Sequence, residues 1–210
     1  MRTRNKQATR EAISAAALRL ALEKGPEGLA LVRVRDIAEA AGVAPRTYNN
    51  YFSSREEAIC AFQADQARRL GRALSARPAG EPLDEAVVAA AIEVFADPEP
   101  DRGGLKMIMS TPSLQGEALK AFAMAEEPLA LAIAERVGDD ADELRPAVLA
   151  AAVAGAVRVA GRHWLDSTDP QPFAEVLDEA LRQVMRPGTL APSAEPALTR
   201  PALTRPARRS

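Results

Sequence analysis

Apolar residues recur along this chain at intervals of three and four rather than two, a spacing that predicts helices. The first such run covers about Asn5 to Lys24, with Ile13, Ala17, Leu20 and Ala21 on one face, and Gly25-Pro26 closes it. After the short connection "EGLALV", Val34, Ile37, Ala38 and Ala41 mark a second helix over roughly Arg33 to Ala41. Gly42 then supplies the positive φ that a sharp turn needs. Pro45 opens a third, very short helix, because its fixed φ and missing N–H suit the first helical position. In "SSREE", Ser54 with Glu57 three residues on predicts a capping box and a fourth helix reaching about Ala76, where "RPAGEP" breaks it.

Longer helical patterns follow. Leu83 to Ala96 ends at "DPEPDRGG", Leu105 to Met109 is short and Met-rich, and Ser113 to Val137 holds Pro128, which predicts a kink or a split. Glu143 to Leu165 is the most apolar run, and Phe173 to Met185 is the last. No period-2 alternation predicts a strand. The expected fold is therefore all-α, with about nine helices. Residues 1–55 form a three-helix head and 56–186 a larger helical body. From 187 to 210, "PGTLAPSAEPALTRPALTRPARRS" offers too little apolar surface to fold and predicts a disordered tail.

The head carries the chemistry. A helix, a glycine turn and a short helix, packed on a preceding helix, are the parts of a helix-turn-helix. A second helix that enters a major groove about 12 Å wide needs one face packed and the other free. In "DIAEAAGVAPRTYNNYF", Tyr48 and Phe52 suit the packed face, while Arg46, Thr47, Asn49 and Asn50 project outward. Arginine can bridge the two acceptors of guanine, and asparagine can pair with both major-groove groups of adenine. Thr47 can bond a phosphate or touch a thymine methyl, and the Tyr51 hydroxyl is placed for a phosphate.

Charge supports that reading through its distribution. The chain's net charge is only −2, but residues 1–60 carry ten Lys/Arg against seven Asp/Glu, and residues 61–186 carry thirteen against twenty-one. A basic head on an acidic body fits one end meeting a polyanion. With one His and one Cys the chain has no zinc cluster, and it has no nucleophile elbow and no glycine-rich phosphate loop, so catalysis gains little support and no cofactor or metal is expected. A helical adaptor that binds protein is disfavoured by the outward Arg/Asn face. The longest apolar candidate for a membrane span, Val148 to Ala160, falls short of about 18 residues and is interrupted by Arg158. Lone Cys60 and the lack of a signal-type N-terminus lead to the expectation of a cytoplasmic protein.

"VRVRDIAEAAGVAPRTYNNYFSSREEAI" closely resembles the DNA-binding signature of the TetR family of bacterial transcriptional regulators, over about residues 8 to 60. The resemblance implies a repressor that a small-molecule ligand releases from its operator. It implies phosphate and occasional base contacts from Arg33, Val34 and Arg35, a recognition helix carrying Pro45, Arg46, Thr47, Asn49 and Asn50, and backbone contacts from Tyr51 and Arg55. Two positions depart from the pattern. Ala44 stands where serine or threonine is common, removing a side-chain N-cap, and Asn49 stands where an aromatic is frequent.

TetR-like regulators are homodimers on palindromic DNA, whose half-sites lie about 34–36 Å apart. Ala150, Ala151, Ala154, Gly155 and Ala160, with Phe173, Val176, Leu177, Leu181 and Val184, could pair across a two-fold axis as a four-helix bundle, or equally close the protomer's own core. For an effector cavity among the middle helices, Phe95, Met107, Met109, Phe122 and Met124 are candidate lining, though each also suits plain core. Arg158 and His163 interrupt the most apolar helix and could anchor an anionic head group on an otherwise apolar ligand. Arg162 and Asp166 nearby suit a surface ion pair.

Overall fold

The computed structural model describes residues 2–138, 144–169 and 171–185, apart from the side chains of residues 2–4 and 26–28. The Pro/Arg-rich tail expected from residue 187 lies outside the described residues. Among the described residues the helices are α1 (Arg2–Gly28), α2 (Val34–Ala40), α3 (Pro45–Asn49), α4 (Arg55–Ala76), α5 (Leu83–Phe95), α6 (Arg102–Ser110), α7 (Pro112–Val137), α8 (Leu144–Asp166) and α9 (Phe173–Met185). A 3-10 turn, Leu29–Leu31, joins α1 to α2. No strand occurs among the described residues, so the fold is all-α.

α1 is broken at Gly25, where φ 69° and ψ 175° place the backbone in a region that glycine alone enters without strain. α7 continues through Pro128 rather than splitting. Proline has no N–H to donate, which leaves the carbonyl four residues back, that of Met124, without its helical partner. Just past that site α4 lies close against α7: a Cβ built on Gly71 would lie 2.8 Å from the Pro128 carbonyl oxygen.

Two apolar cores share α4. One gathers Ile13, Ile37, Tyr48, Phe52 and Ile59 with Met107, Ile108 and Leu114 from α6 and α7. The other gathers Leu70, Leu74, Val87, Ile133, Val153, Trp164, Leu177 and Leu181. Burying each large side chain contributes about 1.5–3 kcal/mol, so the rod of α4 is held firmly at both ends. Arg136 of α7 braces its far end, donating to the carbonyls of Leu74, Arg77, Pro78 and Glu81 at 2.7–3.4 Å.

α8 exceeds the sequence expectation. By length and composition it could cross a membrane, because Leu144–Asp166 extends beyond the apolar run read from Val148 to Ala160. It packs instead as a helix of the body, burying Ala150, Val153, Val157, Ala160 and Trp164 against the second core.

Candidate nucleic-acid interface

The turn between α2 and α3 follows from two residues. Gly42, at φ 69°, ends α2 in the left-handed region. Its N–H donates to the Glu39 carbonyl at 3.0 Å while Val43 N–H reaches the Ala38 carbonyl at 2.9 Å. Those two bonds make a Schellman ending that satisfies carbonyls the helix would leave open. At the start of α2, Asp36 accepts from the Arg33 backbone N–H at 3.3 Å and places a carboxylate at the positive helix end.

α3 begins on Pro45 with Ala44 at its N-cap, and no side chain caps it. Its stability comes from burial. Tyr48 is 1 % exposed and Phe52 2 %, their rings 5.8 Å apart. The Tyr48 hydroxyl donates to the Ser54 carbonyl at 2.8 Å, tying the end of α3 to the start of α4. Burial, with the nearby Glu57 and Glu56 carboxylates adding to it and Arg55 opposing, pushes the Tyr48 phenol up to about 12. There Ser54 accepts from the Glu57 N–H at 3.0 Å, as the capping pattern predicts, but Glu57 returns its bond to Ser53 rather than to Ser54.

With that face fixed, Pro45, Arg46, Asn49 and Asn50 are exposed, and Thr47 and Tyr51 half-buried. Asn50 caps the C-terminal end of α3. Arg33 and Arg35 are exposed and Val34 half-buried at the start of α2. All nine of these expected residues are therefore at least partly open to solvent. Arg55 differs in its bonding. Its Nη1 donates to the carbonyls of Ala30 at 3.1 Å and Val32 at 3.3 Å, and its Nε to Glu56 at 2.8 Å. The guanidinium thereby braces the α1–α2 connection against α4 through Nε and Nη1.

Arg10 is the residue that sequence reasoning missed. From α1 it lies 4.4 Å over the Phe52 ring, donates Nη1 to the Tyr51 carbonyl at 3.1 Å, and stands 3.9 Å from Asp65. It fixes the exit of α3 to both α1 and α4. Nothing local in the sequence signals it, because its partners lie more than forty residues away.

In the body, an apolar cavity of about 10 Å3 lies between α4, α5, α7 and α8, walled by Leu70, Phe95, Phe122, Glu126, Leu129 and Val157 among others. Phe95 and Phe122 stack there, centroids 6.4 Å apart. The other expected lining residues lie elsewhere. Met107 fills the N-terminal core, Met109 is half-buried on α6, and Met124 is 69 % exposed because it faces away from α4 on the turn before Pro128. Arg158 is half-buried and His163 exposed, and neither lines the cavity; its charged wall residue is Glu126. Among the described residues no group of His, Cys, Asp or Glu could hold a metal ion.

Comparison with known proteins agrees with this architecture. Residues 13–58 match the family described as bacterial regulatory proteins, tetR family, and residues 77–188 match the MftR C-terminal domain. A curated relative, the HTH-type transcriptional regulator TcmR of Streptomyces glaucescens, is 34 % identical over 195 residues, which is 86 % of this chain and 84 % of the relative. The chain belongs to the TetR family. It is a TetR-family transcriptional regulator with a helix-turn-helix that binds DNA, not an enzyme. A second relative, the putative mycofactocin biosynthesis regulator MftR of Mycobacterium tuberculosis, is 30 % identical over 142 residues, covering 66 % of this chain and 72 % of that one. Among solved TetR-family folds, Thermus thermophilus FadR, a transcriptional repressor in complex with lauroyl-CoA, superposes with a TM-score of 0.52 at 20 % identity, over 90 % of this chain and 98 % of that one. A putative TetR-family regulator from Mesorhizobium loti gives 0.51 at 16 %, over 85 % and 95 %.

Proposed function

We propose that this TetR-family regulator is a cytoplasmic homodimeric repressor that holds a palindromic operator and releases it when an apolar small molecule enters the body. The carrying observation is the division of α3: Tyr48 and Phe52 are sunk in the core while Arg46, Asn49 and Asn50 stand in solvent. That division leaves a short helix free to enter a major groove, with Arg46 suited to a guanine edge and Asn49 to an adenine edge.

Two protomers are needed to meet two half-sites on one face of a duplex. α8 supplies a surface for that pairing. Val148 and Val159 are 55 % and 56 % exposed, Ala151 lies exposed between them, and a Cβ on Gly155 would meet nothing within the protomer. Of the residues read as an interface, Ala150, Ala160, Phe173, Leu177 and Leu181 are instead buried inside the protomer. The open face of α8 is the neighbouring stripe.

The mostly apolar lining of the cavity favours an apolar effector. At about 10 Å3 it has room for roughly one water, so an effector has to open α4, α5, α7 and α8 to enter. On this reading the effector's preference for an opened body over a closed one sets the size of the switch. Lauroyl-CoA, bound by the T. thermophilus FadR neighbour, is a sensible first probe.

The test is fluorescence anisotropy of purified protein on duplex DNA taken from beside its own gene, with random duplex as control and a salt series. The expected result is preference for the native duplex, bound by two protomers. Arg46→Ala should lose about 1–3 kcal/mol on that duplex and little on random DNA. Equal losses on both would remove Arg46 from base reading.

A further inference from the structure

The exposed face of α3 does not end at Asn50. A surface groove of about 290 Å3 continues from it, walled by Asn50 and Tyr51 on one side and by Lys6, Gln7 and Arg10 of α1 on the other. Arg10 and Gln7 are held in place. Arg10 holds the Tyr51 carbonyl at 3.1 Å and the Phe52 ring at 4.4 Å, and its charge is drawn toward Asp65. Gln7 donates one Nε2 hydrogen to Glu11 at 3.0 Å, which holds its side chain along α1. Lys6, one helical turn before Arg10, is exposed and has no hydrogen bond or ion pair among the described residues. The groove thus offers one uncommitted ammonium, the amide of Asn50 and the hydroxyl of Tyr51, all beside the base-reading face.

We propose that this groove seats a phosphate of the operator backbone, with Lys6 as its charge and Asn50 and Tyr51 as its hydrogen-bond donors, so that α1 extends the DNA contact beyond the helix-turn-helix. The proposal rests on the DNA-binding reading above. The chemistry selects a phosphodiester: a single negative group, flanked by neutral acceptors, fits a mobile point charge with two neutral donors. Because Arg10 is committed to Tyr51, Phe52 and Asp65, it shapes the seat without filling it. A phosphate there fixes the angle at which α3 enters the groove and carries no sequence information of its own.

The test compares wild type with Lys6→Gln, and with Lys24→Gln at the other end of α1 as a remote loss of one charge. Each salt bond to a phosphate contributes about 0.9 to the slope of log affinity against log salt. Lys6→Gln is expected to flatten that slope by about 0.9 per bound protomer, equally on native and random duplex, while Lys24→Gln leaves it unchanged. A duplex carrying one neutral methylphosphonate linkage at a time should reveal one linkage per half-site that costs wild type about tenfold and costs Lys6→Gln almost nothing, as one lost charge-assisted contact implies. An unchanged slope together with an unchanged methylphosphonate pattern overturns the proposal. Wild-type protein that prefers no duplex overturns the regulator reading, and this seat with it.

Discussion

Tyr48 joins stability to position, since the same side chain fills the N-terminal core and ties α3 to α4 through the Ser54 carbonyl. Its phenol, pushed up to about 12 by burial, holds its proton in the folded chain at pH values where the unfolded phenol, near 10, has lost it. Between those values the folded state binds more protons, so stability falls as pH rises from 10 toward 12 and is fully present below 10. Tyr48→Phe should cost about 1 kcal/mol at pH 8 for the lost hydrogen bond. The gap to wild type should then narrow at pH 11 in urea denaturation. A gap that stays constant would mean the phenol does not titrate in that window. At this scale the sequence spoke clearly for local matters and poorly for distant ones. The identity and exposure of Arg46, Asn49 and Asn50 followed from helical spacing around Tyr48 and Phe52. The commitment of Arg55 to Ala30 and Val32, and of Arg10 to Tyr51 and Phe52, did not, because each depends on how separate helices meet.

Helix ends were legible for the same reason that Arg55 was not: caps and breakers act over a few residues. Gly42, Pro45 and Ser54 fixed their boundaries to within a residue or two. Pro128 left its outcome open, because a proline can kink, split or merely loosen a helix, and the packing against α4 decides. Gly71 is what allows that packing. On propensity alone, alanine at a helix interior gains up to about 1 kcal/mol over glycine. At position 71 its Cβ would meet the Pro128 carbonyl oxygen at 2.8 Å, and the atom it meets is backbone. Overpacking of this kind costs about 1–3 kcal/mol, so Gly71→Ala should lower the urea midpoint. A raised midpoint would show that α4 and α7 separate freely there. Leu70 and Leu129, the neighbours of this contact, also wall the cavity, so the variant should open the same seam that the proposed effector needs.

At the scale of the whole molecule, the all-α architecture was readable from periodicity, while the surface proposed for pairing was not. An apolar helix such as α8 has more apolar positions than one face can hold, and sequence alone does not say which of them turn inward. The fold assigns Ala150 and Ala160 to the core and leaves Val148 and Val159 outside. Val159→Glu should therefore leave the protomer folded, shift the proposed dimer toward monomer in sedimentation velocity, and weaken operator binding. A dimer of unchanged strength would place the two-fold axis elsewhere. The cavity escaped the sequence in the same way: Phe95 and Phe122 reach it, while methionines of equal apparent promise fall into the other core or into solvent.

The expected division of the chain at residue 55 into a DNA-binding head and a helical body is crossed in three dimensions, because Met107, Ile108 and Leu114 complete the core beneath α1 to α3. A chimera that transplants only residues 1–55 onto another regulator would leave behind part of the floor its recognition helix stands on. Retargeting this protein is therefore a grafting problem at two separated places in the chain, with residues 102–118 travelling alongside the head they support.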